Sequence, residues 1–181
     1  MSLNDDVKKI LVTEEEIKEI CKRLGREISR DYEGKKLLLV SVLKGAVVFM
    51  ADLMREITCD CEIDFMAVSS YSGAKTTGVV KFKKDLDINP DGCDILLVED
   101  ILDSGITLAY LKSVLQDRNA ASIKVCAFLD KPTNRQADIS ADYVGRVIPD
   151  EFVIGYGLDY NEKYRNLPYV GVLDPRVYSA E

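Results

Sequence analysis

Glu99 and Asp100 stand side by side at the end of the apolar run Ile95-Leu-Leu-Val98, and Asp103-Ser-Gly-Ile-Thr107 follows two residues later. Adjacent carboxylates suit sugar hydroxyls or a Mg²⁺ ion, which prefers oxygen ligands. A turn carrying Gly105 and the hydroxyls of Ser104 and Thr107, leading into a helix, suits an anion. The free N–H groups of a helix start point at such a ligand. In open α/β sheets ligands bind just beyond the carboxyl ends of strands, which is where this run delivers both features. A sugar phosphate presents both partners at once. Taken singly, each feature has a plainer reading: solvated acids, and a helix start capped by Ser104 or Asp103. The chain contains no GxxxxGK[ST] loop, and this segment is not GxGxxG, so dinucleotide binding is disfavoured.

Composition narrows the chemistry further. The 181 residues include no histidine, so proton transfer falls to Asp, Glu, Lys, Tyr or Cys. Lys and Arg number 24 against 31 Asp and Glu, a net charge of −7, which argues against a phosphate-backbone binder. The five cysteines, Cys21, Cys59, Cys61, Cys93 and Cys126, contain no CxxC and lack zinc spacing. They read as reduced, mostly buried thiols. No apolar run is long enough to span a bilayer, and the first residues carry no apolar signal core. A soluble, cytoplasmic protein is expected.

The elements that must position these groups alternate. Thr13-Glu-Glu-Glu16 has capping-box spacing, and Ile17, Ile20, Leu24 and Ile28 recur at helical intervals, which predicts a helix over 14–31. Lys36–Leu43 reads as a strand buried on both faces, 46–57 as a helix and 61–71 as a strand. The small, polar, glycine-flanked segment 72–78 predicts a loop, and 79–86 a hairpin strand. Residues 94–98 read as a buried strand, 99–107 as a loop, 108–118 as a helix and 122–129 as a strand. Short strands at 143–147, 152–154 and 169–173 complete the chain. Strands alternating with helices predict an α/β fold with a mostly parallel twisted sheet. With no linker or repeat, residues 1–181 read as a single domain. The irregular last third forms a small hood over the carboxyl edge, joined in part by the N-terminal segment.

The segment from Glu99 to Thr107 resembles the phosphoribosyl pyrophosphate signature of the type I phosphoribosyltransferases. Leu43-Lys44-Gly45, Ser70-Tyr71 and Phe152-Val-Ile-Gly-Tyr-Gly-Leu-Asp159-Tyr-Asn-Glu-Lys-Tyr-Arg165 narrow the resemblance to the bacterial hypoxanthine–guanine branch. It covers the chain from about residue 10 onward, in order. It implies a purine-salvage transfer of the 5-phosphoribosyl group to hypoxanthine or guanine, giving IMP or GMP and pyrophosphate, with Mg²⁺ as cofactor.

The resemblance also implies roles. Asp103, Ser104, Gly105, Ile106 and Thr107 would hold the 5′-phosphate. Glu99 and Asp100 would hold the ribose hydroxyls, directly or through Mg²⁺. Asp103 would also exchange the proton at purine N7. Lys44 and Gly45 would offer backbone groups to the pyrophosphate, in a region where the family often has a cis peptide, and Arg165 would clamp it. Lys131 would meet the 6-oxo group of the base, Phe152 would stack on it, and Val153 and Asp159 would border its edge. Asp159 would also ligate a second Mg²⁺. Ser70 and Tyr71 would begin a flap over about 70–80 with Gly73 and Gly78 as hinges. Arg135 would order neighbouring loops. A homodimer or homotetramer is implied, with no nucleic-acid or membrane partner.

Two other readings use the same residues. One is a regulator on this fold that binds phosphoribosyl pyrophosphate and contacts nucleic acid. The acidic charge and the Lys131, Phe152 and Arg165 set oppose it. The other is a phosphoacceptor receiver, supported only by the Glu99-Asp100 strand tip.

Overall fold

In the computed structural model, which describes residues 3–70 and 80–179, strand β1 (Val7–Val12) leads into helix α1 (Glu14–Asp31). Thr13 caps that helix as its spacing requires. Thr13 Oγ1 accepts from Glu16 N at 3.2 Å, and Glu16 Oε2 accepts from Thr13 N at 2.9 Å. Then come β2 (Leu37–Leu43), α2 (Val47–Glu56), β3 (Cys61–Ser70) and β4 (Val80–Lys84). They are followed by β5 (Asp94–Leu102), α3 (Ile106–Asp117), β6 (Ser122–Asp130) and β7 (Tyr143–Val147). The last elements are β8 (Val153–Ile154), β9 (Val170–Leu173) and α4 (Pro175–Tyr178).

Six strands form the central sheet in the order β4-β3-β2-β5-β6-β7, and all neighbours are parallel except β3 and β4. Both faces are covered, which is why β2 reads as an unbroken apolar run. Leu37 and Leu39 pack with the buried faces of α1 and α2, including Ile20, Leu24, Phe49 and Leu53. Leu38, Val40 and Val42 point the other way, into Leu108, Leu111 and Leu115 of α3. The helices α1 and α2 cross closely: a Cβ on Gly25 would lie 2.5 Å from Glu56 Cβ.

The hood is a second sheet of order β1-β9-β8, antiparallel throughout, with Ile154, Tyr164, Leu167 and Leu173 as its own small core. The N-terminal segment thus joins the C-terminal third through β1, whose pairing partner β9 is distant in sequence.

Three boundaries differ from the sequence expectation. Strand β5 does not stop at Val98 but continues to Leu102, because Glu99, Ile101 and Leu102 still pair with Ala127, Leu129 and Asp130 of β6. The loop is therefore shorter than residues 99–107, and helix α3 begins at Ile106 instead of Leu108. The expected flap from Tyr71 through Gly73 to Gly78 lies outside the described residues, whereas Ser70 closes β3. The five cysteines are all free, three of them buried. Among the described residues no helix is long and apolar enough to cross a membrane.

Candidate active site

The β5–α3 turn comprises only Asp103, Ser104 and Gly105. Gly105 is the N-cap of α3 with φ 77°, and no side chain caps the helix. Neither Ser104 nor Asp103 acts as the cap, contrary to the plainer reading of the sequence. The left-handed backbone at Gly105 turns the chain into the helix without them. A Cβ at Gly105 would also lie 2.5 Å from Ile139 Cγ2. The first-turn N–H groups, those of Ile106 and Thr107 among them, are left without intrahelical partners at the positive end of the helix dipole. Glu99, Asp103, Ser104, Gly105 and Thr107 line a cavity of about 100 Å³ there.

Arg135 fixes this turn from behind. Its Nε donates to Asp103 O at 2.8 Å, Nη2 to Leu102 O at 3.1 Å and Nη1 to Ile139 O at 2.7 Å. Nη2 also pairs with Asp130. Gln136 N and Ala137 N both donate to Ser104 O, at 2.9 and 3.1 Å. The 130s loop therefore holds the cradle's carbonyls, which leaves its amides to face outward.

Glu99 and Asp100 are crowded carboxylates. Glu99 Oε2 is buried without a hydrogen-bond partner among the described residues. Burial, and then the charge of Asp100, push the Glu99 carboxyl well above the usual carboxylate range. Burial pushes Asp100 up to about 6, against the pull of backbone N–H donors and Arg165 and with a further push from Asp159. Charge is costly here unless a cation arrives. Among the described residues no three acidic or thiol side chains converge on one metal position. The pair fits a Mg²⁺ ion of the kind held by one or two carboxylates, with substrate oxygens completing the shell.

The β2 turn closes on this pair. The Leu43–Lys44 peptide is cis. A Cβ on Gly45 would fall 1.7 Å from Asp100 Oδ2. A Cβ on Gly157, where φ is 98°, would fall 2.0 Å from Gly45 O. Three segments distant in sequence thus meet in close contact, the carboxylate of Asp100 against Gly45 and the backbone of Gly45 against Gly157, and glycine is what lets them do so.

Beyond Gly157 lies an ionic bridge. Arg165 Nη1 donates to Gly157 O at 2.7 Å, and Nη2 lies 2.8 Å from Asp159 Oδ1. Arg165 Nε and Nη2 both donate to Glu162 Oε2, at 3.4 and 3.2 Å. Lys44 Nζ donates to the other oxygen, Oε1, at 3.0 Å. The Lys44 side chain is thereby engaged together with Arg165, although the resemblance implies a contribution only from its backbone.

On the other flank Lys131 is buried, not a solvated surface lysine. Its Nζ lies 3.2 Å from Asp150 Oδ1, 3.3 Å from Glu151 O and 3.6 Å from Asp103 Oδ2. Asn134 Nδ2 holds Asp150 at 2.9 Å. Asp103 Oδ1 is buried and has no partner among the described residues. Val153 belongs to β8, which among the described residues pairs only with β9, so one backbone edge of the strand stays unpaired there. Phe152 precedes that strand and is 42% exposed. Its ring stacks on Tyr178 with centroids 5.4 Å apart and meets Tyr160 edge-on at 5.6 Å. Sequence reasoning missed Asp150, Glu162, Tyr160 and Tyr178. Only Glu162 carried a signal, three residues before Arg165.

A turn that presents helix amides, a crowded acid pair and the parallel-sheet edge that carries them match a known class. Residues 9–161 match the phosphoribosyl transferase domain family, and the chain belongs to it. Among its relatives, the hypoxanthine-guanine phosphoribosyltransferase of Staphylococcus aureus is 51% identical over 98% of this chain and 99% of that protein. The bifunctional protein TilS/HprT of Listeria monocytogenes is also 51% identical, and this chain spans 28% of its length. A crystal structure of a hypoxanthine phosphoribosyltransferase from Staphylococcus aureus superposes with a TM-score of 0.94, covering 97% of this chain and 96% of that one.

Proposed function

We propose that this chain transfers the 5-phosphoribosyl group from phosphoribosyl pyrophosphate to N9 of hypoxanthine or guanine, giving IMP or GMP and pyrophosphate, in purine salvage. The observation that carries this reading is the buried Lys131 ammonium against Asp103, immediately beside the anion cradle of α3. A cation there favours a 6-oxopurine over adenine, whose exocyclic group is a hydrogen-bond donor. The adjoining carboxylate is placed for the proton the base must shed.

In this reading Ser104 to Thr107 bind the 5′-phosphate, and Glu99 and Asp100 bind the ribose hydroxyls. Phe152 packs on the purine, and Val153 offers it the open backbone edge of β8. N9 attacks C1′, the C1′–oxygen bond breaks, and its electron pair leaves with pyrophosphate. Asp103 takes the proton from N7. Arg165 and the Lys44-Gly45 turn receive the leaving group. Glu99 and Asp100 would hold Mg²⁺, with Asp159 serving a second ion, and the metal would supply neutralisation of the pyrophosphate charge. A flap from Ser70 and Tyr71 would exclude water from C1′, which competes with the purine. The whole chain acts as one phosphoribosyltransferase domain under the β1-β9-β8 hood, in the cytoplasm, as a homodimer or homotetramer.

A spectrophotometric assay with phosphoribosyl pyrophosphate and Mg²⁺ tests this, offering hypoxanthine, guanine, xanthine, adenine and uracil separately. Turnover of a 6-oxopurine without adenine is expected. Uracil turnover would refute the base site, and no turnover with any base would refute the enzyme.

A further inference from the structure

Glu162 sits at the tip of a two-residue hairpin. Tyr160 N donates to Lys163 O at 3.3 Å and Lys163 N to Tyr160 O at 3.0 Å, and between them Asn161 and Glu162 take φ 50° and 61°. Two successive left-handed residues are the mark of a tight primed turn, whose positions favour Asn or Gly. A glutamate is a poor choice for the second of them on backbone grounds. Its side chain, though largely exposed, reaches back to two cations of the site. One oxygen takes Lys44 Nζ at 3.0 Å. The other takes the Nε–Nη2 side of Arg165, the fork with which a guanidinium grips a planar oxyanion.

We infer that Glu162 is an internal competitor for the pyrophosphate group: its carboxylate occupies the Lys44 and Arg165 cations and must be displaced before they can grip the ligand. This rests on the reading of Lys44, Gly45 and Arg165 as the pyrophosphate site. The arrangement allows the exchange without dismantling the site. Arg165 keeps Gly157 O at 2.7 Å and Asp159 Oδ1 at 2.8 Å when Glu162 departs, so the guanidinium stays aimed. The Glu162 side chain is 63% exposed and has open solvent to swing into. A carboxylate in this place sets how tightly the pyrophosphate moiety is held, and so the balance between capturing the substrate and releasing the product.

The test is calorimetric titration of the full chain with inorganic pyrophosphate and Mg²⁺. Glu162→Gln should bind about three- to tenfold more tightly, the range that two exposed ion pairs allow. Glu162→Asp keeps the charge but shortens the reach by one methylene. It should also tighten binding, because it cannot span both cations. Arg165→Gln should weaken binding, and thermal melts should show all three variants folded. Unchanged or weaker binding by Glu162→Gln, with Arg165→Gln weakened, overturns the competitor. So does Glu162→Asp at wild-type affinity beside a tightened Glu162→Gln, since that pattern is a general charge effect. Wild-type binding by Arg165→Gln instead overturns the pyrophosphate reading beneath it.

Discussion

Lys131 Nζ and Asp103 Oδ2 stand 3.6 Å apart, and the lysine is 8% exposed. That separation is contact between charges without a tight hydrogen bond. The ammonium holds Asp103 beside the cradle and leaves its other oxygen, Oδ1, without a partner among the described residues. A carboxylate meant to accept a proton from a ligand needs this: an oxygen aimed inward and not already spent. Asp103→Asn keeps the shape and removes the proposed base. Turnover should fall by about 10²-fold or more, the usual worth of a positioned general base. The KM for phosphoribosyl pyrophosphate should stay near wild type. Steady-state kinetics with both substrates varied decides it, and near-normal turnover would remove Asp103 from the role.

Lys131→Ala probes the same pair from the other side. It removes the cation proposed to face the 6-oxo position and leaves Asp150 without its partner at 3.2 Å. The KM for hypoxanthine should rise about tenfold or more, a loss of about 1.4 kcal/mol or greater. The KM for phosphoribosyl pyrophosphate should change by less than about twofold, as expected for separate sites. Equal losses for both substrates would count against the base-site placement.

Gly45 and Asp100 supply a sharper test of geometry. A methyl at residue 45 would overlap Asp100 Oδ2, at 1.7 Å. The carboxylate is the part able to yield, so Gly45→Ala should swing it out of line and not unfold the turn. Phosphoribosyl pyrophosphate binding should weaken about tenfold or more, with only a small change in melting temperature. Gly157→Ala offers the contrast. There the clash is with the backbone carbonyl of Gly45 at 2.0 Å, and φ is 98°, so the melting temperature should drop as well. Paired thermal melts and binding titrations separate the two.

These residues also mark what is legible in the sequence. The alternation of Leu37 to Val42 between two buried faces is written as an apolar run, and the Thr13–Glu16 box as a spacing, so the central layers can be read directly. The tip of β5 misleads a local reading, because two adjacent carboxylates look like a strand ending. Pairing of Ile101 and Leu102 with β6 carries the strand past them. Strand β1 carries Lys8 and Lys9 near its start and shows no clear alternation. Its strand state comes from pairing with β9, and no local pattern announces that pairing. The meeting of Gly45, Asp100 and Gly157 is likewise tertiary. So is the stacking of Tyr178 on Phe152, which brings the last helix to the proposed base site.

Glu99 has a cost that a substitution should expose. Its carboxyl is pushed well above the usual range by burial and by the charge of Asp100, and Oε2 finds no partner. A carboxyl with a raised folded-state pKa binds its proton more tightly folded than unfolded. The ionised form therefore lowers stability at pH above the folded pKa. That penalty fades as pH falls through the folded value and is gone below the unfolded value of about 4.5. Glu99→Gln keeps the volume and removes the charge. Without Mg²⁺ it should melt a few degrees higher than wild type at about pH 7.5, about 1 kcal/mol or more for a chain of this size. The gap should close by about pH 4, where wild-type Glu99 is protonated in both states. Turnover with Mg²⁺ and phosphoribosyl pyrophosphate should fall, because in the proposed mechanism the same crowded pair holds the cation. Melting curves across pH, set beside the activity of the same variant, check both halves. A variant no more stable than wild type at that pH would mean that Glu99 ionises in the folded chain at no cost, and would remove the penalty assigned to its burial.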